Sequence, residues 1–296
     1  MHIRDRRLAM DKLATGYGLI EGPVWDDSKG LIFSDVLGGG VYAATPAGEV
    51  STVFEHRRGI GGMAMHASGE GMIVSGRNIA FKPFDGGATV ELHTASPDKS
   101  GAGFNDLTTD ALGRIYVGEL AASPFADDAG TRGGDLWLID LDGAASVVGH
   151  DVLLTNGLGF SPDGSTLYHS DSTRRAVMKY AVHDDGSLGP KEQFAEMERG
   201  APDGLVVSED GAVWVALAHG GGGVAVLDAN GTHREHIAIA EPMCTSVCFG
   251  GSDRSDLYIV SGSDGSGSDN AGSVWVHPTM STGCPIAPAH VAISAS

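Results

Sequence analysis

The chain has 296 residues, 42% of them hydrophobic, a formal charge of −19 and no apolar run long enough to cross a bilayer. That charge excludes the basic footprint of a nucleic-acid binder and disfavours an anionic membrane surface. Cys244, Cys248 and Cys284 do not make a disulfide or zinc framework. The alternation of MCTSVCFG predicts that the first two share one face of a strand as small buried apolar residues. The start, MHIRDRRLAMDK, is charged and lacks an apolar stretch or small-residue cleavage site, so the expected location is the cytoplasm.

Forty-five glycines and short Val/Ile/Leu/Trp/Tyr runs between turn signals predict an all-β chain. The first expected strand lies near Lys12–Leu19. One plan then repeats along the chain, in GPVWDDSKGLIFSD, GMAMHASGEGMIVSG, LTTDALGRIYVGE, LGFSPDGSTLYHSD, LVVSEDGAVWVAL and VCFGGSDRSDLYIVS. Each copy is an apolar strand, a turn rich in Gly, Asp and Ser, and a second strand. The copies recur at roughly the 40–50 residue spacing of propeller blades. Further strand-like runs, such as VYAATPAGEVSTVF and GGVAVLDANGTHREHIAI, bring the total to four strands per unit. Six copies predict a six-bladed β-propeller spanning residues 1–296 as one domain, each blade of four antiparallel strands. Pairing of the Lys12–Leu19 strand with SVWVHP near the C-terminus would close the ring. The Gly/Ser stretch Ser261–Asn270 reads as a long loop within the last blade. The irregular run Ala121–Gly134 reads as a lid over one mouth.

Repeat registration also places polar groups. In a propeller the first strand of each blade lines the central channel. About eight residues before each turn glycine (nine in the first copy) stand Glu21, Gly61, Asn105, Asn156 and Asp203, with Thr245 or Ser246 nearest in the sixth. Any one of these could cap a turn or bind channel water. Two carboxylates and two amides at one phase instead suggest a ring of oxygen donors. Oxygen without His or Cys suits calcium, magnesium or manganese. A second phase, four residues into the second strand, holds Asp35, Gly76, Glu119, Asp171, Leu217 and Ser261. Its acids either orient ligands or anchor the amides of neighbouring loops. His219, after the strand VWVAL, falls near the channel mouth and is a candidate substrate contact. His233 and His236 read as solvated residues of a polar turn.

These blocks resemble the senescence-marker-protein, gluconolactonase and luciferin-regenerating-enzyme family. The resemblance rests on EGPVWDD, FNDLTTDALGRIYVGE, TNGLGFSPDGSTLYHSDS, APDGLVVSEDGAVWVA, and TSVCFGG followed by LYIVSG, together and in order from about Gly18 to Val291. It implies a six-bladed propeller with one divalent metal in the channel and hydrolysis of a lactone, a small-molecule ester. By resemblance Glu21, Asn156 and Asp203 look like the metal ligands. Asp203 doubles as candidate base, and a metal-bound hydroxide is the alternative. Asn105 looks like a substrate-contacting residue, or a fourth ligand as in the related phosphotriester-hydrolysing propellers. Calcium is the first expectation for the ion, with zinc, manganese, magnesium and iron as alternatives.

Three positions depart from the sugar-lactone pattern. Gly103 stands where an arginine is usual, Ser123 falls near the place of a substrate-binding glutamate, and Leu107 replaces a glycine. The expected substrate is therefore a lactone less polar than a sugar lactone, with Asn105, Ser123 and His219 as its contacts. A sugar-acid lactonase, a phosphotriesterase, and a lyase or isomerase of a lactone-like intermediate are the competing enzymes. A metal-plugged binding platform is the competing non-enzyme.

Overall fold

A computed structural model describes residues 9–95 and 102–293; the charged start lies outside them. These residues form six four-stranded antiparallel sheets. The first blade comprises β2 (Ile20–Asp26), β3 (Gly30–Asp35), β4 (Val41–Ala44) and β5 (Val50–Phe54). The second comprises β6 (Met63–Met65), β7 (Gly71–Val74), β8 (Asn78–Pro83) and β9 (Val90–Thr94). The third is β10 (Phe104–Thr109), β11 (Ile115–Glu119), β12 (Gly134–Ile139) and β13 (Ala145–Val152). The fourth is β14 (Thr155–Phe160), β15 (Thr166–Asp171), β16 (Ala176–Ala181) and β17 (Glu192–Glu196). The fifth is β18 (Ala201–Val207), β19 (Val213–Ala218), β20 (Gly223–Leu227) and β21 (His233–Ala238). The sixth joins β22 (Met243–Gly250), β23 (Asp256–Gly262) and β24 (Gly272–Pro278) to β1 (Asp11–Tyr17) from the other end of the chain.

The expected closure is present, with Asp11 opposite Val276 and Tyr17 opposite Gly272. Inner strands touch in the order β2, β6, β10, β14, β18, β22 and back to β2, so the ring is complete. Strands near the axis are buried on both faces, as in VWVALA of β19, while outer strands carry charge, as in HREHIA of β21. A charged outer edge discourages pairing with another chain. His233 and His236 belong to that edge strand, not to the turn expected from sequence.

The core is divided among the blade-to-blade interfaces. Ile73, Phe81, Leu107 and Val117 fill one between the second and third blades, and Val206, Trp214, Phe249 and Ile259 fill one between the fifth and sixth. Cys244 joins that latter cluster, whereas Cys248 joins the cluster between the sixth blade and the first. The two thiols are buried, as expected, but not on one face. A register shift between Cys244 and Ser246 breaks the alternation that sequence spacing assumes.

Beyond β24 the chain crosses the end of the ring where the inner strands finish. Cys284 N–H donates to Val207 O at 2.9 Å, Ala289 N–H to Met65 O at 2.8 Å and His290 N–H to Gly113 O at 2.9 Å. This strap covers the mouth remote from Glu21, Asn105, Asn156 and Asp203, which lie where inner strands begin.

Candidate active site

The polar positions of the first phase coincide with a backbone feature. Register shifts interrupt β2 between Glu21 and Val24, β10 between Phe104 and Leu107, β14 between Thr155 and Leu158, and β18 between Pro202 and Leu205. A bulge releases a residue from the ladder and re-aims its side chain. Asn105, Asn156 and Asp203 fall inside such bulges, and Glu21 opens one. In the second blade β6 starts only at Met63, and Gly61 ahead of it leaves room: a Cβ there would lie 2.2 Å from Asn105 Oδ1.

Glu21, Asn105, Asn156 and Asp203 all line one cavity of about 1070 Å3. Thr245, a nearest equivalent in the sixth blade, does not; its hydroxyl donates to Ile20 O at 2.5 Å and ties the ring shut. Asn105 Nδ2 donates to Asn156 Oδ1 at 2.5 Å and to Thr155 O at 2.8 Å, so its amide hydrogens are committed and Oδ1 is what it can offer. Asn156 Nδ2 donates to Ser172 Oγ at 2.7 Å, and that hydroxyl donates onward to Pro202 O at 2.6 Å. The chain of bonds holds the Asn156 oxygen on the cavity side.

The electrostatics are those of a site short of positive charge. Burial pushes the Glu21 carboxyl well above the usual range; the charges of Asp203 and then Asp106 add to this, and the Gly22 N–H opposes it. Asp203 is raised likewise by burial and by Asp106, against the Gly204 N–H. Burial lifts Asp106 to about 7, against its bond from Leu107 N–H. Sequence reasoning passed over Asp106. The available signal was that Gly22, Gly62, Gly157 and Gly204 occupy the corresponding place in other blades, so a carboxylate there is an exception. Like charges this close disfavour joint ionisation unless a cation joins them. Two carboxylates and an amide oxygen, backed by a third acid, are chemically suited to a hard divalent ion. Among the described residues no three His, Cys, Asp or Glu side chains are grouped to hold an ion alone.

The second phase resolves toward anchoring. Asp35 accepts from the backbone N–H groups of Gly18, Leu19, Leu37 and Gly38 at 2.9–3.2 Å. Asp171 accepts from Leu153, Leu154 and Arg174 N–H, and from Arg174 Nη1 at 2.5 Å. Glu119 accepts from Trp137 Nε1 at 2.8 Å. Asp35 and Asp171 pin loops that frame the cavity, and Glu119 fastens an indole of the neighbouring strand β12.

Ser123 and His219 also line the cavity. Ser123 arrives on the irregular segment between β11 and β12, followed by Pro124 and the exposed Phe125. His219 sits at positive φ (50°) with its ring 4.0 Å from Asp264. Asp264 belongs to the loop between β23 and β24, the long loop of the last blade expected from the Gly/Ser stretch, and this loop also walls the cavity.

Comparison with known proteins agrees with this fold. The SMP-30/gluconolactonase/LRE-like region matches residues 19–263. The chain is 30% identical to the pentonolactonase XacC of Haloferax volcanii over 92% of its own length and 94% of that protein's. It is 31% identical to a 6-deoxy-6-sulfogluconolactonase of Pseudomonas putida, covering 81% and 82%. In fold it resembles a regucalcin from Agrobacterium tumefaciens, with a TM-score of 0.83 at 20% identity, covering 96% and 98%.

Proposed function

The chain belongs to the SMP-30/gluconolactonase/LRE-like family, and from that premise we propose that it is a lactonase that opens its substrate's ester ring with the help of one divalent ion. The single observation that carries the metal dependence is the convergence of Glu21, Asn156 and Asp203 on one cavity, with burial and then the Asp203 and Asp106 charges raising the Glu21 carboxyl. Glu21, Asn156 and Asp203 would hold the ion, calcium first among those that favour oxygen. When bound, such an ion polarises the ester carbonyl and offsets the charge that develops on its oxygen. The rest falls to the chain's own side chains.

Asp203 takes a proton from the attacking water. Its position at the floor, with Gly204 N–H on the carboxylate, leaves acceptor capacity for that role. Asn105 offers Oδ1 to the substrate or to the ion. Ser172 keeps Asn156 from rotating its nitrogen toward the floor. The walls, with Leu37, Phe104, Leu120, Phe125 and Met243, suit a ring less polar than a sugar lactone, with Ser123 and His219 at hand for its polar edge.

The test is a panel of sugar, aliphatic and aromatic lactones assayed on metal-stripped protein with each divalent ion returned singly. Chelation should remove turnover while the β-sheet circular dichroism persists, and the returned ion should restore it. Unchanged turnover after chelation would refute the metal assignment. Loss of the fold on chelation would favour a structural plug. A second reading, phosphotriester cleavage, draws on the free Oδ1 of Asn105 as a fourth oxygen donor; hydrolysis of organophosphates with none of lactones would select it.

A further inference from the structure

Position 103 cannot carry a side chain here. Gly103 has φ +93°, and a Cβ on it would lie 2.3 Å from Gly76 O and 3.0 Å from Arg77 Cα. The approach is fixed by Phe104 N–H donating to Gly76 O at 2.7 Å. The cation nearest that point of the wall therefore comes from the adjoining blade, as Arg77, which lines the cavity. Arg58 lines it as well, from the connection between β5 and β6. Its Cγ lies 3.1 Å from where a Cβ on Gly39 would stand, so its stem packs along the first blade's loop.

Among the described residues neither guanidinium makes a hydrogen bond or lies within ion-pair distance of a carboxylate, although the Arg77 charge, after hydrogen bonds from Thr94 and Asn78, helps lower the exposed Glu91 carboxyl. This is unlike Arg114, Arg132, Arg174, Arg234 and Arg254, each of which is paired with Asp or Glu. A chain with 38 acidic and 19 basic residues has many carboxylates available, so two unpaired arginines in one cavity wall are unexpected on grounds of solubility alone. The rest of the cavity is acidic: Glu21 and Asp203 at the floor, Asp264 and Asp269 on the loop of the sixth blade. His219 comes from the fifth blade, across the ring from the second.

We propose that Arg58 and Arg77 form a subsite for an oxyanion, most simply a carboxylate, carried on the lactone. The substrate class is thus a lactone with few hydroxyls and one anionic substituent. Guanidinium groups bind carboxylates through charge-assisted, often paired, hydrogen bonds. The arginine wall accepts the substituent, which leaves the ring ester facing the floor where Glu21, Asn156 and Asp203 converge. The position of the arginine pair sets the substrate's direction.

This inference rests on the lactonase reading, and the experiment separates the two. Two γ-butyrolactones are compared with calcium-loaded protein, one bearing a ring carboxylate and the other a methyl group at the same carbon. Wild-type protein should show the higher kcat/KM for the carboxylate compound, and rising sodium chloride should erode that preference. The double variant Arg58→Met/Arg77→Met should lower the ratio of the two kcat/KM values by about tenfold or more. Arg58→Lys/Arg77→Lys should retain most of it. An unchanged ratio in the Met variant, or a wild-type preference for the methyl compound, overturns the subsite. If neither compound is hydrolysed the lactonase reading fails, and calorimetric titration with the carboxylate compound still decides. Tighter binding to wild type than to the Met variant sustains the subsite; equal or absent binding overturns it.

Discussion

Glu21, Asp203 and the neighbouring Asp106 give the site a pH dependence whose sign follows from their raised carboxyl affinities for protons. A carboxyl raised in the fold binds a proton that the unfolded chain has already released. Without a cation its stabilising proton is therefore kept below the folded value and lost as pH rises through it, near 7 for Asp106. Metal-free protein should lose stability from about pH 4 to about 7, the window between the ordinary carboxyl value and the raised one, and level off above it. Calcium should raise the unfolding temperature more at the alkaline end than at the acid end, because protons compete for the same oxygens. Thermal unfolding with calcium and with chelator checks this; equal calcium stabilisation at both ends would count against the site. Asp203→Ala should abolish calcium retention and lactone turnover together. Ser172→Ala frees the Asn156 amide to rotate and should weaken calcium binding by about tenfold, the usual scale for losing a partner that orients a ligand. Calorimetry on the folded variant measures it.

Among the elements, the inner-strand bulges explain why counting residues from a turn glycine worked. The turn fixes the end of each strand, and a bulge at a fixed distance releases the same residue toward the axis. Counting found Glu21, Asn105, Asn156 and Asp203, but a bulge is not visible in composition. That is why Asp106 was passed over and why Cys244 and Cys248 were assigned to one face. Among the acids of the second strands, Asp35 and Asp171 hold loops. Asp171, fully buried, accepts three backbone N–H groups and the Arg174 guanidinium. Asp171→Ala should cost about 3 kcal/mol, since those donors lose their acceptor out of contact with water. Urea unfolding reads the loss, and a change within about 0.5 kcal/mol would contradict the anchoring role.

For the whole molecule, closure depends on both chain ends. Strand β1 covers the outer edge of β24, helped by Lys12 Nζ on Glu241 at 2.8 Å, while Trp275 Nε1 and Ser273 Oγ also donate to Glu241. The strap after β24 buries Ala289 and Val291 and bonds to inner strands of several blades. Deleting residues 279–296 should lower the unfolding temperature by about 5–10 °C, the scale of a few lost kcal/mol in a domain of this size. Calcium binding at the far mouth should survive below that temperature. Differential scanning calorimetry checks the first outcome and calcium titration the second.

The sequence by itself determined the ring: its period, its six blades, the closing pair of terminal strands and the phase of the oxygen donors. Those are local, repeated features, and repetition lets one copy check another. Only the tertiary structure decided that the Asp106 charge acts on Glu21 and Asp203, that Asp35 and Asp171 anchor loops, and that Arg58 and Arg77 line the same cavity. These depend on backbone approaches between different blades, and residues brought together across a ring leave no spacing along the chain to be read.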